Sequence, residues 1–254
     1  MDIEKYRVTG APPTVYYIPN FITENEESHL LKSVYSAPRP KWTFLSNRRL
    51  QDYGGVPHEK GMLPEPIPKW LQTYMDKIDA LNIFDGKKTN QVLVNEYLAG
   101  QGIMPHTDGP LFQPTISTIS CGSHTVLEFK ENSELRKKVC DILLEQRSLV
   151  IIKEELYSKY LHSISEREDD VLEDIVNLDY CGEKYISGVK LKRKTRVSLT
   201  IRNVPKVLKC ASLSISQPVQ ARDFSGKTEE QVSQYVDIVY LKKILNVLLI
   251  FGIS

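Results

Sequence analysis

A chain of 254 residues with 41% hydrophobic and 26% charged side chains has the make-up of a soluble globular protein, long enough to bury a substantial core. The formal net charge of +1 excludes the global basic field behind most non-specific nucleic-acid binding, so any such contact has to come from a local patch. Cys121, Cys140, Cys181 and Cys210 are far apart and form no C-x-x-C pair, and the first residues show no signal-peptide core. Reduced thiols in an intracellular protein are expected, with no structural zinc.

In chain order, Val15-Tyr16-Tyr17-Ile18 reads as a strand. Thr23-Glu24-Asn25-Glu26 is a capping-box pattern, and Leu30, Leu31 and Val34 follow it at helical spacing. A strand is predicted near Trp42-Thr43-Phe44, then a polar loop over 47–62 carrying Arg48, Arg49, Tyr53, Gly54, Gly55, Pro57 and His58. A second helix is predicted over about 68–80, with Trp70, Leu71, Tyr74, Met75 and Ile78 on one face. Short strands follow near residues 91–98, 115–120, 125–130, 148–153, 173–178 and 196–202. Many short strands bounded by turns point to a mainly β sandwich or barrel with flanking helices. Residues 211–234 are polar and rich in Ser and Gln. The apolar run 238–251 is too short and too interrupted for a membrane span, and reads as an amphipathic helix or as a tail without fixed structure.

Four features carry chemistry. His106-Thr107-Asp108 sits where a strand ends, and residues i and i+2 of a strand point the same way, so imidazole and carboxylate can reach one small ion. Two histidines and one carboxylate on one face of a ferrous ion leave its other positions open. H-x-D alone is a weak pattern, and a second histidine is required. His162, in Tyr160-Leu161-His162-Ser163-Ile164, lies after an apolar strand and fits by position. His29 in a predicted helix, His58 in a Gly/Pro-rich loop and His124 in a turn fit less well. Arg196-Val197-Ser198-Leu199-Thr200-Ile201-Arg202 alternates strictly, with Val197, Leu199 and Ile201 on the face for a core and two arginines on the other. Such a row is either a solvated face or the wall of a pocket whose guanidinium forks bind a dicarboxylate such as 2-oxoglutarate. In the run 91–98, Asn95 and Tyr97 share a face and offer neutral hydrogen bonds to an anion; Gly100 and Gly102 then suit a turn.

Asn95-x-Tyr97, His106-x-Asp108, His162 and Arg196-x5-Arg202, in that order and with Tyr53-Gly54-Gly55 upstream, resemble the AlkB family of Fe(II)/2-oxoglutarate dioxygenases over roughly residues 10–205. The resemblance implies a double-stranded β-helix, a form of jelly roll, with the two helices buttressing one outer face. It divides the chain into a dioxygenase domain over 1–208, with a buttress and lid at about 10–90 and a catalytic core at about 90–205, and an atypical tail over 209–254. It implies His106, Asp108 and His162 as iron ligands and as the catalytic set. Asn95, Tyr97, Arg196 and Arg202 become contacts of 2-oxoglutarate, Arg196 at its distal carboxylate and Arg202 at the end near the metal. Fe(II), 2-oxoglutarate and O2 are the implied cofactors, and oxidative demethylation of alkylated nucleic acid the implied reaction. A dioxygenase acting on a protein side chain or lipid is one alternative, and a non-catalytic jelly-roll binding module another. Arg48, Arg49 and Tyr53 sit where relatives carry a nucleotide-recognition lid, suited to phosphates and a stacked base, and equally to an ordinary surface loop. Lys190-Leu191-Lys192-Arg193-Lys194 is a second basic run of the kind that is usually solvated. The partner expected is single-stranded or flipped-base nucleic acid, for a monomer of nucleus and cytoplasm. The stretch 163–195 is long for a connection between the last ligand and the arginine strand, and the tail has no counterpart in the family.

Overall fold

Alternating apolar and polar residues along a strand bury one face, whereas strands apolar on both faces must be covered twice. Both kinds occur here. The computed structural model describes residues 1–208; the polar stretch 211–234 and the apolar run 238–251 lie outside the described residues. In chain order the strands begin β1 (Val15–Ile18), β2 (Thr43–Leu45), β3 (Arg48–Tyr53), β4 (Gln91–Tyr97), β5 (Ile103–His106) and β6 (Thr115–Cys121). They continue β7 (Thr125–Glu131), β8 (Lys138–Leu144), β9 (Leu149–Lys153), β10 (Tyr160–Ile164), β11 (Asp169–Val171), β12 (Lys190–Lys192) and β13 (Arg196–Arg202). The helices are α1 (Glu24–Tyr35), α2 (Lys69–Asp79) and α3 (Glu154–Ser158). A seven-stranded sheet runs β1-β9-β6-β13-β4-β3-β2, and a four-stranded sheet runs β5-β10-β7-β8. Each pairing within them is antiparallel. Two such sheets make the jelly roll.

Side-chain parity assigns each face of the large sheet. Ile18, Val92, Val94, Ile119, Leu149, Ile151, Val197, Leu199 and Ile201 pack with Leu30 and Val34 of α1 and Leu71, Tyr74, Met75 and Ile78 of α2. The alternate residues Val15, Tyr17, Tyr97, Ile116, Val150 and Ile152 pack with Leu127, Phe129, Ile142 and Leu144 of the small sheet. The first set is the helix side; the second is the inner face, between the sheets. Thr23 caps α1 as its sequence predicts, accepting from Glu26 N while the Glu26 side chain accepts from Thr23 N. Pro68 stands at the N-cap of α2, where its missing N–H costs nothing.

Three readings change. The polar loop over 47–62 contains a strand, β3, paired with both β2 and β4. No strand forms over 173–178. Ile175 makes a single bridge to Asp141, while the Asn177 side chain bonds both the N–H and the C=O of Leu143 at the edge strand β8. The run is apolar because Ile175 packs with Val126, Leu143 and Leu172 on the outer face of the small sheet. The long stretch 163–195 is thus a cover for that sheet, built on the hairpin β11–β12. Gly100 and Gly102 do shape the turn before β5: Gly100 has φ +84°, and a Cβ on Gly102 would meet the Ile164 carbonyl oxygen at 2.1 Å.

Candidate active site

Register brings two histidines together. β10 pairs with β5 so that His162 stands opposite His106, their ring centroids 4.3 Å apart. Opposed residues of an antiparallel pair project to the same side. Asp108 lies beyond the end of β5, so strand alternation is not what unites it with His106. A tertiary contact does: Arg202 Nη1 donates to Asp108 Oδ2 at 2.7 Å, which leaves Oδ1 turned to the imidazoles. Oδ1 lies 3.4 Å from His162 Nε2 and 3.9 Å from His106 Nε2. Donor atoms of the three residues all fall within 4.8 Å of one another, the single such group among the described residues. Tyr157 of α3 pins the loop by donating to the Gly109 carbonyl at 2.7 Å.

Protonation states suit a cation. His106 Nδ1 is 2.8 Å from the Met104 carbonyl, which can only accept, so the proton sits on Nδ1 and Nε2 keeps its lone pair. Burial, then the neighbouring His162, push the His106 pKa down to about 4, so the ring is neutral at pH 7. Burial works against the charge of Asp108, but Arg202 and His162 outweigh it and hold the carboxyl well below the usual carboxylate range. Imidazole nitrogens beside a carboxylate with one oxygen to spare form a donor set for a divalent transition ion.

The inner face of β13 continues the site. Arg196 is opposite Tyr97 and Ser198 opposite Asn95, so all four project between the sheets. Arg196 is 4% exposed. One nitrogen donates to Ser120 Oγ at 2.9 Å, Nε is buried without a partner, and no carboxylate lies within ion-pair distance among the described residues. Burial, with a smaller push from the neighbouring Arg193, lowers the guanidinium pKa to about 10. A charge so placed calls for an anion, and a carboxylate fits it. Arg202, six residues and about 20 Å further along the strand, is already committed: to Asp108, to Gln91 Oε1 at 3.0 Å and, face-on, to the Phe112 ring at 4.0 Å. It therefore secures the carboxylate of the triad. Asn95 Oδ1 accepts from Arg48 Nε at 3.2 Å, and burial raises the Tyr97 phenol.

Arg48, Arg49 and Tyr53 separate. Leu50 is opposite the inner-face residue Asn95, so Arg48 shares that face and its charge reaches both His106 and Tyr97. Arg49 and Tyr53 have the other parity. Arg49 makes a two-pronged pair with Glu96, at 2.7 and 2.9 Å, and lies 4.1 Å over the Trp42 ring. Tyr53 is 8% exposed in the helix-side core, donates to Gln51 and meets Trp70 edge-on. Neither faces the site, which corrects the reading of a three-residue substrate lid. In the basic run 190–194, Lys190, Lys192 and Lys194 are exposed as read, but Arg193 departs from that reading and is buried against Asp170. Sequence reasoning missed Gln91, although it shares the parity of Asn95 and Tyr97. It also missed Ser120, for which no local signal exists.

The sequence pattern of the 2OG-Fe(II) oxygenase superfamily matches residues 41–202. The chain is 51% identical over 220 residues to "Probable RNA/DNA demethylase ALKBH6" of Danio rerio, covering 82% of this chain and 93% of that protein. The chain belongs to the AlkB family of 2OG-Fe(II) oxygenases. As an AlkB-type dioxygenase it is an oxidoreductase that uses Fe(II), 2-oxoglutarate and O2. "Uncharacterized protein L905" of Acanthamoeba polyphaga mimivirus is 33% identical over 195 residues, covering 74% of this chain and 84% of that one. The solved structure of OsALKBH1 superposes with a TM-score of 0.51 at 15% identity, over 76% of this chain and 99% of that chain, a likeness of fold. Among the described residues no helix is long and apolar enough to cross a membrane.

An AlkB-type site with this geometry makes one immediate prediction. Arg196→Lys is expected to weaken 2-oxoglutarate binding by about 2–5 kcal/mol, tens- to thousands-fold, because a point charge cannot reproduce a planar fork. Calorimetric titration of the metal-loaded protein measures it, and unchanged affinity would reduce Arg196 to a strand-face residue.

Proposed function

We propose that this AlkB-family enzyme oxidatively demethylates alkylated nucleic acid, acting on a single-stranded or flipped base. The reading is supported by the 51% identity to a relative named as a probable RNA/DNA demethylase, over nearly its whole length. With Fe(II) bound, the family chemistry would use O2 to oxidise 2-oxoglutarate to succinate and CO2 and to hydroxylate a substrate C–H bond, one oxygen atom going to each; on an N-methyl group the hydroxylated product releases formaldehyde. The chain's own part is to hold and to shield. His106, Asp108 and His162 would hold the ion, and Arg202 keeps Asp108 ionised and aimed. Arg196, Tyr97 and Asn95 would orient the co-substrate in the space between the sheets. Arg48 sets a positive charge beside that space, where a phosphate of an extruded nucleotide would be drawn.

A product screen on methylated DNA, methylated RNA and methylated peptides tests the reading. Formaldehyde released from an oligonucleotide in step with succinate is the expected result; turnover on peptides alone would overturn it.

Binding should show the same local origin. With a net charge of +1 and few basic groups beside the site, single-strand affinity should fall with salt by a slope of only a few units. Arg48→Ala should flatten that slope by about 0.7. Arg49→Ala should leave the slope alone and instead lower stability by about 1–3 kcal/mol, because it strands the buried Glu96 carboxylate. Titrations of labelled methylated oligonucleotide at several salt concentrations, with urea melts of both variants, separate these effects. Equal loss of slope in both variants would refute the parity argument.

A further inference from the structure

Among its buried residues the inner face of β7 is apolar with one exception. Val126 points outward to Leu143 and Leu172, whereas Thr125, Leu127 and Phe129 alternate inward, Leu127 and Phe129 packing with Tyr97. Thr125 is thus the polar member of that face. It is 2% exposed, and its Oγ1 is buried with no hydrogen-bond partner. Buried hydroxyls are normally satisfied, since leaving one unpaired sacrifices its hydration for nothing. Thr125 and Arg196 line one small cavity, together with Tyr97, His124, Ile164 and Lys194. Arg196 Nε is likewise buried on that cavity without a hydrogen-bond partner, as is His124 Nε2, which lies 3.3 Å from Asp170 Oδ2. His124 stands against a carboxylate, whereas the Thr125 hydroxyl and the cationic Arg196 Nε do not, and both residues line one space at the end of β13 remote from the triad.

The turn carrying Thr125 is fixed to β13. Lys194 N donates to Ser123 Oγ at 2.9 Å, and His124 Nε2 lies 3.3 Å from Asp170 Oδ2, which is itself held by Arg193. These contacts hold the turn on which Thr125 stands. A carboxylate has two oxygens and about four lone-pair sites, more than one guanidinium fork can fill.

We propose that Thr125 determines co-substrate specificity: its hydroxyl donates to the second carboxylate of the 2-oxo acid beside the guanidinium of Arg196. The inference rests on Arg196 being the seat of that carboxylate, and adds a second, neutral donor to it. A 2-oxo acid with no second carboxylate would leave both donors unsatisfied, so the pair selects against it as well as for the dicarboxylate.

Calorimetric titration of the full chain loaded with Mn(II) tests this, using 2-oxoglutarate and 2-oxobutyrate, which shares the 2-oxo acid head but lacks the second carboxylate. Thr125→Val keeps the shape and removes the hydroxyl. It is expected to weaken 2-oxoglutarate about ten- to a hundred-fold, the usual worth of a hydrogen bond to a charged group, and to leave 2-oxobutyrate unchanged. Thr125→Ser should restore most of the difference. Equal weakening of both acids would assign Thr125 a packing role and overturn the proposal, as would wild-type affinity for both. Arg196→Lys, run in parallel, tells which premise fails: if it too leaves 2-oxoglutarate unaffected, the seat of the carboxylate lies elsewhere.

Discussion

His106→Ala and His162→Ala are each expected to abolish Fe(II)-dependent turnover of 2-oxoglutarate, a loss of several orders of magnitude, while leaving the melting transition close to that of the parent. Each removes one of three donors from a set whose atoms lie within 4.8 Å of one another. Each ring is paired with the carboxylate of Asp108. Ligands of an open catalytic site need not be structural pillars. Asp108 differs, because its Oδ2 is the ionic partner of Arg202, which is 6% exposed. Asp108→Ala should therefore lose stability as well as activity, whereas Asp108→Asn keeps the shape and isolates the loss of the ligand charge. Succinate formation, metal titration and urea melts on the four variants give the pattern. Full turnover in His162→Ala would remove that residue from the ligand set. His124 could not replace it, since its ring is engaged by the buried carboxylate of Asp170.

The alternation of Arg196–Arg202 and of Gln91–Tyr97 is visible in the sequence and survives folding as two paired strands, because a period of two is dictated by the backbone itself. The apolar run at 149–152 is legible as a strand covered on both faces, and the capping box of α1 is a local device that needs nothing distant. What cannot be read locally is which parity points inward. Arg48 and Arg49 are neighbours of the same chemistry, yet one faces the site and the other Trp42, a choice made by the pairing of Leu50 with Asn95. The spacing of His106 and Asp108 suggests a shared strand face, but the strand ends at His106 and the carboxylate is aimed by Arg202, 94 residues on. Arg193 reads as part of a solvated basic run because its partner Asp170 is 23 residues away. Such ion pairs are tertiary facts, set by how the stretch 163–195 folds over the small sheet.

That buried pair carries the second large effect. Asp170 is fully buried, and Arg193 grips it with two bonds of 2.7 Å, Nε to Oδ2 and Nη2 to Oδ1. Arg167 Nε adds a third at 2.9 Å, and His124 stands at 3.3 Å. Arg193 also donates to the Ser165 carbonyl at 2.7 Å, just past β10, the strand that bears His162. Burial alone would raise the Asp170 pKa, but His124, Arg193 and Arg167 outweigh it and hold the carboxyl far below the usual range. Removing the carboxylate leaves the Arg193 guanidinium, itself 5% exposed, as an uncompensated buried charge. Asp170→Ala is therefore expected to cost about 3–5 kcal/mol, a large share of the roughly 5–15 kcal/mol available to a typical domain. The pH dependence has a definite sign. The folded pKa lies below the unfolded one, so the unfolded state binds the proton first as pH falls. The stabilisation is present in full above the ordinary carboxylate range and drains away as pH drops through that range towards the folded value. Asp170→Asn should be destabilised at neutral pH and lose that part of the acid dependence. Replacing the pair together, Asp170→Leu with Arg193→Met, should recover much of the loss, since apolar packing can substitute for a buried ion pair but half a pair cannot. Urea melts from pH 7 down to about pH 2 decide the matter: a loss under about 1 kcal/mol in Asp170→Ala at neutral pH, or a double variant no better than the single ones, would mean that Arg193 finds solvent and that the stretch 163–195 is anchored by its apolar contacts alone.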